Sequence, residues 1–398
     1  MKILFIILDG LGDRPIKKLG NRTPLEAART PNLDFLAKEG LCGLIKPVYQ
    51  GSFPTSKDAH LSLFGYDLRK WAMGRGVFEV LGIGMELKKT DVALRGNLAS
   101  VDAKMKIIKR RASRTEDLTR FIKPVQGLKI DGIKFLVGPG TDYRLGVIMR
   151  GRGLSEKVSD NDLHITAIRP QKVRPLDRSK EAEFTARVLN KFLQRTHLIL
   201  ENHPLNQKRK KQGSLPVNYI LLRTAGRLKP IPPFQQKWGL RACCVAGAGL
   251  YKGIARVLGM DLLKVKGATG DEQTNLEGKI KTAKRALKKY NFCFLHIKAT
   301  DDFSHDGDFM GKKRFIERID RHLKNLLDLK DALIIVTGDH STPCALKQHS
   351  ADALPVLVWG DQTDGVEKFS EKACQKGGLG KIKSIDLLKR FASIKRVC

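Results

Sequence analysis

Phe292–His305 reads FCFLHIKATDDFSH, and Ala332–Pro343 reads ALIIVTGDHSTP. Each opens with an apolar run of strand length, Phe292–Ile297 and Ala332–Val336, and stops at a polar cluster carrying Asp and His. Lys2–Leu8 (KILFIIL) stops in the same way, at Asp9-Gly10, and Leu354–Gly360 (LPVLVWG) is a fourth run. Helical stretches separate them: Leu276–Tyr290, Arg314–Leu329, and a segment opened by Thr30-Pro31 with Leu33, Leu36 and Ala37 at helical spacing. Buried strands alternating with helices predict an α/β fold, with a mainly parallel sheet and helices on both faces. In such sheets ligands gather at the carboxyl ends of the strands. Asp9, Asp301 and Asp339 each lie just past the carboxyl end of an apolar run, so three distant segments deliver carboxylates to one edge.

From about Gly96 to Gly213 the character changes. Apolar segments shorten, and basic residues and loops multiply, until Asn218–Leu222 (NYILL) returns to strand character. This predicts a core built from 1–95 and 214–398 and a smaller inserted α/β domain at 96–213. A chain of 398 residues has room for both.

Lys and Arg outnumber Asp and Glu by 74 to 41, a net charge of +33 that attracts anions and steers small anionic substrates. Nucleic acid is the other partner such charge suggests. The basic runs are short, as at Lys208–Lys211 (KRKK), and no aromatic-interleaved basic stretch or nucleic-acid motif accompanies them, which argues against it. No run of 18 apolar residues appears, so no membrane span is expected. Met1–Leu8 is too short for a signal peptide and runs straight into Asp9. The seven cysteines form no CxxC pair. A cytoplasmic protein with reduced thiols is expected.

The chemistry concentrates near the end of the chain. Asp301 and His305 form D-x-x-x-H, Asp339 and His340 are adjacent, His349 follows nine residues on, and Asp9 joins them from the first strand. A lone Asp after a strand is more often a cap or turn residue, and a lone His a satisfied side chain. Six together at strand ends suit two Zn- or Mn-type ions sharing a site. Such a pair can clamp a phosphoryl group. In FPTSKDAHLSL (Phe53–Leu63), Ser56 falls at or near a helix N-terminus, where the backbone favours a bound anion and the hydroxyl can take a phosphoryl group. The same residues also read as an ordinary N-cap at Thr55 or Ser56. Arg75 in GRG, Arg110, Arg111 and Arg114 in KRRASR, Asp160 and Asp162 in SDNDLH, and Arg223 in LLRTAG are polar clusters that could hold an anionic substrate.

Several blocks resemble the archaeal-type cofactor-independent phosphoglycerate mutases of the alkaline phosphatase superfamily: ILDGLGDRP with TPLEAARTPNLD, AHLSLFGYD, GRGVFEVLGIG, GATG at Gly267–Gly270, ATDDFSHD, and TGDHSTP with QHS. They run in order from residue 3 to about 350. The resemblance implies an alkaline-phosphatase-like core with an inserted domain. It implies interconversion of 3- and 2-phosphoglycerate in glycolysis and gluconeogenesis through a phosphoserine. It also implies two divalent metals, manganese foremost with Mg, Co or Zn as alternatives, and no 2,3-bisphosphoglycerate. By position, the nucleophile is Ser56. One metal falls to Asp301, His305 and His349, and the other to Asp9, Ser56, Asp339 and His340. His60, Arg75, Arg111, Arg114, Asp160, Arg223 and Lys298 fall in blocks that hold or protonate the glycerate.

Departures from the family pattern are local. Similar proteins have Gly-Ser-Asp-Thr-Ala-His around the nucleophile; here Thr55-Ser56-Lys57-Asp58-Ala59-His60 places a lysine after the serine. Unless Asp58 compensates, Lys57 is expected to face solvent, away from the metals. Thr224, Ser113 and Ser304 replace glycines and narrow the space beside the substrate. The alternative readings are a superfamily phosphatase, a mutase acting on another phosphorylated acid, or a basic nucleic-acid-binding protein on a disused fold.

Overall fold

The computed structural model describes residues 2–46, 54–112, 119–140 and 143–392. The chain divides into two compact units, Met1–Ala72 with Ile231–Cys398, and Met73–Pro230. The division lies further out on both sides than the 96–213 suggested by composition. The cause is strand pairing. Val92–Val101 pairs antiparallel with Tyr219–Gly226, so the strands at both ends of the insert belong to one sheet. Helix Arg75–Gly82 packs on that pair, with Gly76 so close to the backbone of Ala93 that a side chain there would collide.

In the first unit an eight-stranded sheet runs, edge to edge, Asp261–Leu262, Ala242–Val245, Phe292–Ile297, Lys2–Leu8, Ala332–Thr337, Leu354–Trp359, Gly40–Lys46 and Gly380–Lys383. Leu354–Trp359 is antiparallel to both neighbours, and the other pairings are parallel. Lys2–Leu8 lies between the two strands that opened the sequence reading. Leu8 is level with Ile297 and Ile7 with Thr337, which sets Asp9 level with Lys298 and Asp339 as the three chains leave the sheet.

Both faces of this sheet are covered. Leu4, Ile6 and Leu8 pack with Leu33 and Leu36 of helix Pro31–Lys38, Ile280 of Leu276–Ala286 and Ile319 of Phe309–Leu323. On the other face Phe64, at the end of helix Ser56–Leu63, sits edge-on to Phe5, Phe292 and Phe294, with centroids 5.8, 6.0 and 5.0 Å away. Edge-to-face geometry suits the aromatic quadrupoles, and each buried ring contributes about 1.5–3 kcal/mol through burial. The run KILFIIL is buried from Ile3 onward because both of its faces carry a helix layer.

The second unit is a smaller antiparallel sheet with helices. Ile133–Pro139, Arg144–Arg150, Val92–Val101 and Tyr219–Gly226 pair in that order. Helix Lys180–Glu201 covers one face, where Phe192 stacks on Phe135 at 4.0 Å. Among the described residues no helix is long and apolar enough to cross a membrane. Cys42, Cys243, Cys244, Cys293, Cys344 and Cys374 are free and buried.

Candidate functional site

At the carboxyl edge of the large sheet the six Asp and His residues gather into two groups. Asp9, Asp339 and His340 form one and Asp301, His305 and His349 the other, with the candidate ligand atoms of each group within 4.8 Å of one another. Gly10 makes the convergence possible. Its φ is +61°, and a Cβ there would lie 2.8 Å from both Asp301 Oδ1 and Thr342 Oγ1. The loops are tied from below by Lys312, which is wholly buried. Its ammonium donates to the Gly12 carbonyl, to Asp13 Oδ2 at 2.9 Å and to the Thr342 carbonyl.

Hydrogen bonds fix the three imidazoles in one tautomer. His305 Nδ1 donates to the Lys347 carbonyl and His349 Nδ1 to the Pro54 carbonyl, both at 2.9 Å. Thr342 Oγ1 donates to Asp301 Oδ1, so it must accept from His340 Nδ1, 3.0 Å away. Each Nε2 therefore keeps its lone pair, and each is aimed at carboxylates. His340 Nε2 is 3.2 Å from Asp339 and 3.4 Å from Asp9; His305 Nε2 is 3.4 Å and His349 Nε2 3.7 Å from Asp301. Two lone-pair-bearing atoms facing each other repel unless a cation or proton lies between them. Asp9 Oδ1 and Asp339 Oδ2 are buried with no hydrogen-bond partner. Burial, reinforced by the Asp9 charge, pushes the Asp339 carboxyl well above the usual carboxylate range. Burial also takes His340 down to about 3. This donor set of carboxylates and neutral imidazoles, each oriented by a second hydrogen bond, fits divalent cations in both groups.

Ser56 is the first residue of helix Ser56–Leu63, capped by Thr55, whose side chain accepts from the Asp58 N–H. The Ser56 hydroxyl lies 3.2 Å from His340 Nε2. It is therefore beside the first group of candidate ligands. Lys57 does not face solvent: its ammonium pairs with Asp58 at 2.6 Å and its side chain is 16% exposed. The carboxylate one residue on balances it. Lys298 is paired as well, with Asp301 at 3.4 Å and with Asp302. Burial alone would lower its pKa, but Asp301, Asp9 and Asp302 together raise it. His60, expected in contact with glycerate, is wholly buried behind Ser56 and donates from Nδ1 to the Ser56 carbonyl at 2.7 Å. With no exposed surface, it supports that helix turn from behind.

The remaining expected residues lie in the second unit. Arg223 is opposite Arg95 in the strand register. Arg75 reaches Glu79 at 2.9 Å, and Arg95 approaches the same carboxylate at 3.6 Å. Arg75, Arg95 and Arg144 hold the Glu79 carboxyl below its ordinary value although burial opposes them. Burial and then Arg75 push the Arg95 guanidinium down to about 9. Asp162 takes Arg110 through two hydrogen bonds and lies 3.3 Å from Arg223. Arg223 also contacts His164 at 2.6 Å. Asp160 accepts the Thr224 N–H at 2.7 Å. Arg111 lies over the Tyr143 ring, 5.4 Å from its centroid, and Arg144 lies over the same ring at 5.1 Å. Arg114 and Ser113 lie outside the described residues. Sequence reading missed Arg95, Arg144, Glu79 and Tyr251. Glu79 lies within the GRGVFEVLGIG block without being singled out there, and strand register and helix packing bring in the others.

This arrangement, two groups of Asp and His around a serine at the edge of a mainly parallel sheet, defines a class. The chain matches the family model described as "Metalloenzyme superfamily" over residues 1–391. A 2,3-bisphosphoglycerate-independent phosphoglycerate mutase 1 of Archaeoglobus fulgidus is 44% identical over 397 residues, covering 98% of this chain and 96% of that protein. A solved structure of a Pyrococcus horikoshii protein is similar with TM-score 0.86 and 35% identity, covering 100% of this chain and 99% of that one. A cofactor-independent phosphoglycerate mutase of Thermoplasma acidophilum has TM-score 0.71 and 35% identity, covering 98% of both chains. The chain belongs to the 2,3-bisphosphoglycerate-independent phosphoglycerate mutase family, in its archaeal form.

Proposed function

We propose that the protein interconverts 3-phosphoglycerate and 2-phosphoglycerate in glycolysis and gluconeogenesis, in the cytoplasm, by way of a phosphorylated Ser56. What supports this reading is the Ser56 hydroxyl lying 3.2 Å from His340 Nε2, beside carboxylate oxygens that have no hydrogen-bond partner. Asp9, Asp339, His340 and Ser56 would hold one divalent ion and Asp301, His305 and His349 the other, manganese foremost. Bound there, the ions would neutralise phosphoryl charge and lower the effective pKa of the serine hydroxyl.

Ser56 Oγ attacks the phosphorus, and the P–O bond to glycerate breaks as the Ser56 ester forms. The proton lost from Ser56 is made good on the glycerate oxygen released. The other glycerate hydroxyl then attacks the phosphoserine, returns a proton to Ser56 and leaves as the isomer. Because the serine is the carrier, no 2,3-bisphosphoglycerate is required. The helix N-terminus stabilises charge on Ser56 during both transfers. Lys298 neutralises charge beside Asp301. The family resemblance makes Arg223, Arg75, Arg111, Arg114 and Asp160, all of the second unit, the candidates for holding the glycerate. The test is an enolase-coupled assay of purified protein with 3-phosphoglycerate. Turnover that needs Mn²⁺, stops in chelator and is indifferent to added bisphosphoglycerate is expected. Full activity in strong chelator, or dependence on bisphosphoglycerate, would refute the reading.

A further inference from the structure

Asp9 divides its two oxygens between different surroundings. Oδ1 faces His340 Nε2 at 3.4 Å and has no hydrogen-bond partner. Oδ2 turns the other way and accepts a hydrogen bond from the Tyr251 hydroxyl. Tyr251 is on helix Gly249–Val257 and is 2% exposed. Its ring stacks on His296 at 3.4 Å between centroids, and His60 lies 4.9 Å to the side. His296 brings Nε2 to 3.4 Å from Oδ2 but makes no hydrogen bond through either nitrogen. Among the described residues, Tyr251 is therefore the single hydrogen-bond donor to that oxygen. Around it stand Tyr251, His296, His60 and Phe294, a largely aromatic box with no water-facing side chain.

We infer that Tyr251 is a positioning residue for Asp9, its hydroxyl holding Oδ2 so that Oδ1 is presented to a divalent cation beside Asp339 and His340. The inference rests on the two-metal reading above. A carboxylate pinned through one oxygen cannot swivel about its χ2 torsion, so its other oxygen is set before a cation arrives. Without the hydroxyl, Oδ2 is a buried acceptor without a donor, and the carboxylate turns to seek one. Removing such an outer partner typically weakens a metal site 10–100-fold. The second group has no comparable link to Tyr251: Asp301 takes its hydrogen bond from Thr342. The effect is therefore confined to one of the two sites.

The experiment is Mn²⁺ titration of the full chain by electron paramagnetic resonance, comparing wild type with Tyr251→Phe, which keeps the ring and its stack. Wild type takes up two ions. In Tyr251→Phe one ion binds about 10–100-fold more weakly and the other is unchanged, thermal stability stays close to wild type, and saturating Mn²⁺ restores kcat. In a His305→Ala background the ion that remains reports on the Asp9 group, and there the tyrosine substitution shows its full effect. Two sites of unaltered affinity in Tyr251→Phe overturn the inference while leaving the two-metal reading intact. So does an equal weakening of both sites with a fall in melting temperature, the signature of lost packing. Failure of wild type to take up two ions overturns the two-metal reading itself, and the inference with it.

Discussion

Thr224→Gly should stabilise the protein. Thr224 has φ +54°, the left-handed region, where an L-residue costs about 1–2 kcal/mol and a β-branched one more than most. The position has a structural cause. Ala93 is level with Gly226 and Arg95 with Arg223, so the Tyr219–Gly226 strand carries one residue more than its partner across this step. A bulge of this kind accommodates its extra residue most easily as glycine. The hydroxyl of Thr224 is buried without a partner, which adds about 1 kcal/mol of unfavourable desolvation. Glycine removes both penalties and gives back about 0.5–1 kcal/mol through the greater freedom of the unfolded chain. The expected net gain is about 1–2 kcal/mol, or about 2–8 °C in melting temperature for a unit of this size. Urea unfolding followed by circular dichroism, alongside calorimetry, measures it. Thr224→Ala separates the contributions, since it removes the hydroxyl and keeps the strained backbone. If Thr224→Gly proves neutral or destabilising, or if alanine gains as much as glycine, the strain argument is wrong.

Ser56→Ala should reduce mutase turnover by many orders of magnitude, whereas Thr55→Ala should lose only a helix cap, about 1 kcal/mol of stability, with turnover retained; a phosphopeptide mapping to Thr55 would reverse the assignment. Lys312→Met leaves Asp13 charged, buried and without its cation, and should destabilise the protein by about 3–5 kcal/mol in denaturant melts; a loss under 1 kcal/mol would show that Asp13 is held by its backbone donors alone. Lys279 is 1% exposed, and burial, with Lys252 adding to it, takes its pKa down to about 8, below the value of about 10.4 in the unfolded chain. Between those values the unfolded chain holds a proton that the folded chain has shed. Stability attributable to this lysine therefore rises with pH from about 8 to 10.4 and is lost as pH falls through that window, by about 3 kcal/mol. Relative to Lys279→Met the wild-type curve should climb across it; parallel curves would refute the shift.

The large sheet was legible because its strands are marked locally. KILFIIL, FCFLHI and ALIIV are apolar runs, and each ends at candidate ligand residues, so the same signal that located a strand located a candidate ligand. Register then did the rest, bringing Asp9 level with Asp339. The insert was harder, because its first and last strands differ little in composition from the core that precedes and follows them. Their membership is decided by the pairing of Val92–Val101 with Tyr219–Gly226, a contact between segments more than a hundred residues apart. Lys57 was misjudged for a similar reason: a lysine near cations was expected to turn away, whereas the adjacent Asp58 lies close enough to neutralise it in place. Tyr251 and Arg95 carry no pattern at all. A tyrosine in an amphipathic helix reads as core, and here the ring is core while its hydroxyl serves Asp9.

The central place of Lys2–Leu8 has a consequence for how the chain is made. Its two partners, Phe292–Ile297 and Ala332–Thr337, emerge from the ribosome roughly 280 and 320 residues later. At about 5–20 residues per second the seven-residue apolar strand waits on the order of 15–60 s before either neighbour exists. During that interval the second unit, contiguous from Met73 to Pro230, can fold behind it. The first strand meanwhile remains an unpaired, β-prone segment of the kind that nascent-chain chaperones cover. Asp9, at the end of that strand, is thus synthesised long before the neighbours that place it.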